Sequence, residues 1–267
     1  MLRTQLMSKL ASDGTAYDVT GEGPPVVLIH GLGLSRRLWD AHLAAFAGCR
    51  VLTYDLYGHG QSSPSPNEAS LSVLADQLAA LMDHIGMVRA HIVGFSIGGM
   101  INRRFALDYP DKVASLVILN SPHNRGDVAQ KAVETRAKST REQGAFATFD
   151  AALQRWFTPA YLAMGEGPAK VREWRGQVDA ESYAKTAWVL ANGVRELIVP
   201  DPSITSPTLV MTCENDSGST PQMSRDIAAE ITGSETAIIP HLQHLGLMED
   251  PDAFTTPILD FIRKMAL

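Results

Sequence analysis

Cysteine is scarce in this chain, with two among 267 residues. Cys49 and Cys213 are too few for a disulfide framework. With no signal-like N-terminus, they read as reduced thiols of a cytoplasmic protein. Long apolar runs are missing as well. None approaches the roughly 20 residues needed to span a bilayer, so no membrane partner is expected. Positive charge is short: 23 Lys and Arg stand against 29 Asp and Glu, a formal net charge of −6. No basic cluster offers a footprint for nucleic acid. His, Cys and acidic residues do not fall at metal-ligand spacing. Gly31, Gly33 and the later glycines do not form a G-x-G-x-x-G phosphate loop after a strand. Neither a metal nor a cofactor is expected. Internal repeats and low-complexity tracts are absent, and the pattern carries no signal for an oligomeric state.

What is present is an alternation of strand-like and helix-like segments in a chain 45% hydrophobic, long enough for a substantial core. Residues 1–20 suggest an antiparallel pair turning at Ser12-Asp13-Gly14. Alternation then runs to Asn120, and Leu71, Leu74, Leu78, Leu81, Met82 and Ile85 form a helical stripe. From 121 to 204 the pattern turns helix-like and polar, with Trp156, Trp174 and Trp188. Pro200, Pro202 and Pro207 mark its end. The expectation is an α/β protein with a mostly parallel central sheet flanked by helices. Its core is built from 1–120 and 205–267, and residues 121–204 form a helical cap.

The sharpest local signal is Gly94-Phe95-Ser96-Ile97-Gly98, between the apolar run Ala90-His91-Ile92-Val93 and a helix-like segment from Gly99. A G-x-S-x-G at a strand-to-helix junction is a nucleophile elbow, whose turn is so tight that the flanking residues must be nearly free of side chain. The bland alternative is a glycine-rich turn with an exposed serine. A serine nucleophile needs a base and a carboxylate that orients it, and in this architecture the order is serine, acid, histidine. Thr208-Leu209-Val210-Met211-Thr212 reads as a strand running into Cys213-Glu214-Asn215-Asp216. Thr236-Ala237-Ile238-Ile239-Pro240 reads as another, running into His241-Leu242-Gln243-His244. All three groups would lie just past strand ends, where open α/β sheets gather their chemistry. The acid is Asp216 or Glu214 and the base is His244 or His241. The reading favours Asp216 and His244, with His241 a packing or pocket-wall residue.

An acyl-transfer intermediate also needs two N–H groups aimed at its oxyanion. The backbone of Ile97 is one candidate, and Leu32, in His30-Gly31-Leu32-Gly33 after the apolar strand Pro24–Ile29, is the other. His30 itself reads as structural. Asp55 to Ser62 reads as a loop shaped by side-chain-to-backbone bonds, with His59 structural. His42, His84 and His91 look like ordinary helix or strand-edge residues. His123 reads as structural too, but it follows the strand Leu116–Leu119 and is a candidate for the substrate pocket, as are Trp156 and Phe157. The apolar side chains Phe146, Phe149, Leu153, Trp156, Phe157 and Tyr161 suggest a pocket for a compact, partly apolar acyl group.

Taken together, His30-Gly31-Leu32-Gly33, Asp55-Leu56-Tyr57-Gly58-His59-Gly60-Gln61-Ser62, the elbow, Asp216, and His244 with Glu249-Asp250-Pro251 resemble the α/β-hydrolase fold superfamily over nearly the whole chain. Within it the chain looks most like 3-oxoadipate enol-lactonase and related carboxylesterases. Arg155-Trp156-Phe157-Thr158-Pro159-Ala160-Tyr161 is similar to a cap segment of the enol-lactonases. Phe95 stands where many members have His. The resemblance implies a serine hydrolase acting on a small-molecule ester or lactone through an acyl-enzyme. A C–C bond hydrolase or a cofactor-free perhydrolase on the same triad is the alternative, and a non-enzymatic hydrolase-fold receptor is a third.

Overall fold

Eight strands form one sheet in the computed structural model, which describes residues 9–265. They are β1 (Lys9–Leu10), β2 (Ala16–Thr20), β3 (Pro25–Ile29), β4 (Arg50–Tyr54), β5 (Ala90–Phe95), β6 (Val113–Leu119), β7 (Thr208–Cys213) and β8 (Glu235–Ile239), in the order β1-β2-β4-β3-β5-β6-β7-β8. The β1–β2 and β2–β4 pairs are antiparallel and all later pairs are parallel. The expected antiparallel start and mostly parallel sheet are therefore both present. The part of that start in residues 1–8 lies outside the described residues.

The inner strands are buried on both faces, which explains why they read as continuous apolar runs. Period-two alternation divides them between two cores. Val27, Ile29, Ile92 and Ile118 pack on one side with α1 (Leu71–His84) and α2 (Ile97–Asp108). Val26, Leu28, Val93 and Val117 pack on the other, against Trp39, Phe46 and the C-terminal helix. Helix α1 starts where Ser70 Oγ accepts the Val73 N–H at 3.1 Å, and it buries the predicted stripe at Leu71, Leu74, Leu78, Leu81 and Met82.

Between β6 and β7 the chain forms α3 (Gly126–Gln143), α4 (Phe149–Trp156), α5 (Pro159–Met164), α6 (Glu166–Gly176), α7 (Ala180–Asn192) and a 3₁₀ turn, Gly193–Leu197. Short links break this stretch, with Gly144 and Gly165 capping α3 and α5 at positive φ. After β7 come α8 (Pro221–Ala229), then β8, the single turn α9 (Gly246–Glu249) and α10 (Pro251–Met265). The helices between β6 and β7 are tied to the rest of the fold at several points. The Thr158 N–H and hydroxyl donate to the Glu249 carboxylate at 2.8 and 2.6 Å, Tyr161 donates its hydroxyl to the Met248 carbonyl at 2.9 Å, and the Asp179 N–H donates to the Gly58 carbonyl at 2.8 Å.

Parallel register aligns the strand ends. Ile29 faces Gly94, Phe95 faces Leu119, and Cys213 faces Ile239. The loops after β3, β5, β6, β7 and β8 therefore open at one edge of the sheet.

Candidate active site

Ser96 occupies the junction of β5 and α2 with φ 58° and ψ −114°, a left-handed backbone that a non-glycine residue adopts only under constraint. The constraint comes from glycines on either side. A Cβ on Gly94 would collide with the backbone carbonyl of Gly98, and one on Gly98 would sit 2.7 Å from the Ile29 carbonyl oxygen. Only residues without side chains let strand, turn and helix approach this closely.

A continuous hydrogen-bond chain runs from this serine. His244 Nε2 lies 3.2 Å from Ser96 Oγ, and His244 Nδ1 lies 2.7 Å from Asp216 Oδ2. With a carboxylate at Nδ1, that nitrogen carries the proton and Nε2 is free to accept one from the serine. Asp216 is buried. Burial opposes its ionisation, but the charge of His244 and hydrogen bonds from His244, Asn120 and the Ser219 N–H outweigh it and hold the carboxyl below its ordinary value. The Asn120 amide donates to Oδ2 at 2.9 Å, while the Gly218 and Ser219 N–H groups donate to Oδ1 at 2.8 and 2.9 Å.

Asn120 was missed by sequence reasoning. Its signal was an asparagine one residue past the end of β6, a position that takes a φ of 46°, which asparagine tolerates better than most residues.

Of the two acid and two histidine candidates, the structure brings Asp216 and His244 to Ser96 and leaves Glu214 and His241 at the surface. His241 neither packs nor lines a pocket, contrary to expectation. Its side chain is 90% exposed, because the backbone turns through φ 63° after Pro240 and the His241 N–H is held by the Glu214 carboxylate at 2.9 Å. His30 and His59 are structural, as expected. The Leu56 N–H donates to His30 Nε2 at 3.0 Å, His30 Nδ1 meets the Gly31 carbonyl at 2.8 Å, and His59 Nδ1 meets the Tyr57 carbonyl at 3.0 Å. Burial pushes the two rings down to about 4 and about 3, so both are neutral.

Ser96 and His244 line a cavity of about 160 Å³ enclosed by the β3 and β7 loops and by α3, α4, α6 and α7. Leu32 lies on its wall, and Ile97, the first residue of α2, is buried directly behind Ser96. Trp156 also lines it, with its ring 6.3 Å from that of His244, while Phe95 packs on the same imidazole at 5.1 Å. The other two pocket candidates lie elsewhere. His123 is buried against Glu230, with 2.9 Å between Nε2 and Oε1, and Phe157 is fully buried with its ring stacked on Tyr161. The wall is also less apolar than the composition suggested. Of Phe146, Phe149, Leu153, Trp156, Phe157 and Tyr161 only Trp156 reaches it, whereas Arg125, Arg136, Arg155 and Arg175 all do.

The two cysteines are buried and free. Burial raises the Cys213 thiol to about 12, which removes it as a nucleophile at neutral pH. Among the described residues no group of His, Cys, Asp and Glu could hold a metal, and no helix is long and apolar enough to cross a membrane.

Comparison with known proteins agrees with this architecture. The chain is 27% identical over 248 residues to the (E)-2-((N-methylformamido)methylene)succinate hydrolase of Acinetobacter baylyi, a match covering 91% of this chain and 92% of that protein. It is 28% identical to 3-oxoadipate enol-lactonase 2 of the same organism, covering 86% and 85%. The crystal structure of the enol-lactonase from Burkholderia xenovorans LB400 superposes with a TM-score of 0.85 at 28% identity, covering 93% of this chain and 96% of that one. The resemblance read from the motifs is thus borne out. Residues 24–251 match the family profile described as alpha/beta hydrolase fold, and the chain belongs to that family.

Proposed function

We propose that the protein is a serine hydrolase that cleaves a small carboxylic ester or lactone through an acyl-enzyme. The observation that carries this reading is the chain Ser96–His244–Asp216, with contacts of 3.2 and 2.7 Å, opening onto a cavity of about 160 Å³. Similarity to an enol-lactonase supports it. Ser96 Oγ attacks the carbonyl carbon as His244 Nε2 takes its proton. Asp216 holds the ring and stabilises the imidazolium. The Leu32 and Ile97 N–H groups receive the oxyanion of the tetrahedral intermediate. Collapse of the intermediate expels the alkoxide, which takes the proton from His244. Water, deprotonated by the same nitrogen, then releases the acid and restores Ser96. Residues 121–204 act as a cap over the core of 1–120 and 205–267, and Trp156 contributes to substrate choice.

A turnover screen of p-nitrophenyl esters of graded acyl length and small lactones tests the reading, together with labelling by a fluorophosphonate. Turnover of at least one class and labelling at Ser96 are expected. Ser96→Ala should abolish labelling and lower turnover by roughly 10³–10⁶-fold, since the triad acts as a unit. Near-native activity in that variant refutes the assignment. So does peroxide-dependent halogenation or C–C cleavage of a vinylogous diketone with no ester or lactone turnover.

A further inference from the structure

Four guanidinium groups surround the cavity that holds Ser96, and only one carboxylate does, that of Asp216. Asp216 is already engaged by His244, Asn120 and two backbone N–H groups. Elsewhere Arg104, Arg172 and Arg195 sit in ion pairs with Asp108, Asp150 and Glu134. Among the described residues no carboxylate oxygen comes within 4.0 Å of Arg125, Arg136, Arg155 or Arg175. Such an arrangement is costly, because desolvated charges of one sign lie together without a counter-charge.

The four are not equivalent. Arg125 is braced by the Leu190 and Ala191 carbonyls at 3.0 and 3.3 Å. Arg175 is buried on the Tyr183 and Trp156 rings, with its guanidinium carbon 4.4 and 5.7 Å from their centroids, and donates to the Ala145 carbonyl at 2.9 Å. Even so, its Nη2 is buried with no hydrogen-bond partner. Arg155 makes only a bond to Ala151 in its own helix, and the Arg136 guanidinium has no hydrogen bond among the described residues. Burial lowers all four below the usual arginine range, Arg125 to about 10. Arg136 further depresses Arg125, and Arg155 further depresses Arg136. The positive charges thus act on one another across the cavity.

We propose that the substrate carries an ionised carboxylate remote from the scissile ester or lactone carbonyl, and that Arg136 and Arg155 bind it while Arg125 and Arg175 frame the site. A guanidinium fork matches a carboxylate with two parallel N–H···O bonds, and an entering anion supplies the counter-charge the cavity lacks. This inference rests on the hydrolase reading above and narrows its substrate to acidic esters or lactones.

The test compares mono-p-nitrophenyl glutarate with its neutral methyl ester. The anionic substrate should show roughly 10–100-fold higher kcat/KM, mostly through KM, and the ratio should shrink as salt is added. Arg136→Gln with Arg155→Gln should bring the ratio close to one, and the corresponding Lys pair should give an intermediate ratio. Independently, calorimetry with Ser96→Ala should detect glutarate binding at low salt, and the Gln pair should abolish it. If neither ester turns over, the hydrolase reading falls, while glutarate binding still decides the anion site. A wild-type ratio at or below one, or glutarate binding that survives the Gln pair, overturns the proposal. Should the Gln pair fail to fold, the wild-type ratio, its salt dependence and the Lys pair decide.

Discussion

Asp216 and Glu214 are two residues apart, yet they stand in opposite environments. Asp216 receives four hydrogen bonds in a buried site, whereas Glu214 accepts the His241 N–H at the surface. Asp216→Asn should lower kcat by roughly 10³–10⁴-fold, because the imidazole loses the partner that sets its tautomer. Glu214→Gln should stay within about 2-fold, since an exposed interaction contributes little. Steady-state kinetics on both variants checks this, and the reverse ranking would contradict it. Asn120→Gly keeps the positive φ available and removes one donor to Asp216. A drop in kcat of about 10-fold with little change in KM is expected, because a lost bond to a charged group is worth on the order of 1–3 kcal/mol. Unchanged kcat would reduce Asn120 to a loop-shaping residue. Ser96, Asp216 and His244 were legible in the sequence because each lies just past a strand with its own turn signal. Asn120 was not, since a single asparagine after a strand looks like any loop residue. The arginines were also illegible, because Arg125 ahead of α3 and residues from α3, α4 and α6 converge only through the packing of helices.

At the scale of elements, α1 was legible from its stripe and the inner strands from their apolar runs. The division of 126–192 into five helices was not, because its boundaries are set by short links and two glycine caps rather than by a change in hydrophobic period. The tie between Thr158 and Glu249 joins the start of α5 to the end of α9, across 91 residues of sequence. Thr158→Val removes the hydroxyl bond to Glu249 and, with it, the weaker cap bond that the Tyr161 N–H donates to the Thr158 hydroxyl oxygen at 3.3 Å, while the Thr158 backbone N–H still reaches Glu249. A loss of about 1 kcal/mol and a Tm lower by roughly 2–4 °C are expected. Thermal unfolding measures it, and an unchanged Tm would show the tie to be energetically idle.

Across the whole molecule, acid should destabilise the fold through His30 and His59. Their folded values of about 4 and about 3 lie below the ordinary 6.5. The unfolded chain therefore takes up protons that the folded one refuses. Stability is full above 6.5 and declines as pH falls toward the folded values, by roughly 1 kcal/mol per pH unit for each ring. Protonating His30 would also turn Nε2 from the acceptor of the Leu56 N–H into a donor facing it. Tm measured from about pH 7 to about pH 4.5 should fall steadily, and His59→Gln should make the decline shallower. A flat curve would show that both rings titrate normally.

The Leu245 N–H donates to the Trp156 carbonyl at 2.8 Å, one residue from the His244 imidazole, and Thr158 grips Glu249 just beyond. The tryptophan that borders the cavity and the histidine that faces Ser96 are thereby fastened to the same short piece of backbone. If Trp156 contributes to substrate choice as proposed, specificity in this scaffold is not a cassette. Exchanging α4 for that of a relative would displace the imidazole along with the wall, so new preferences should arise more readily by single side-chain changes on α3, which carries no such fastening to the His244 loop.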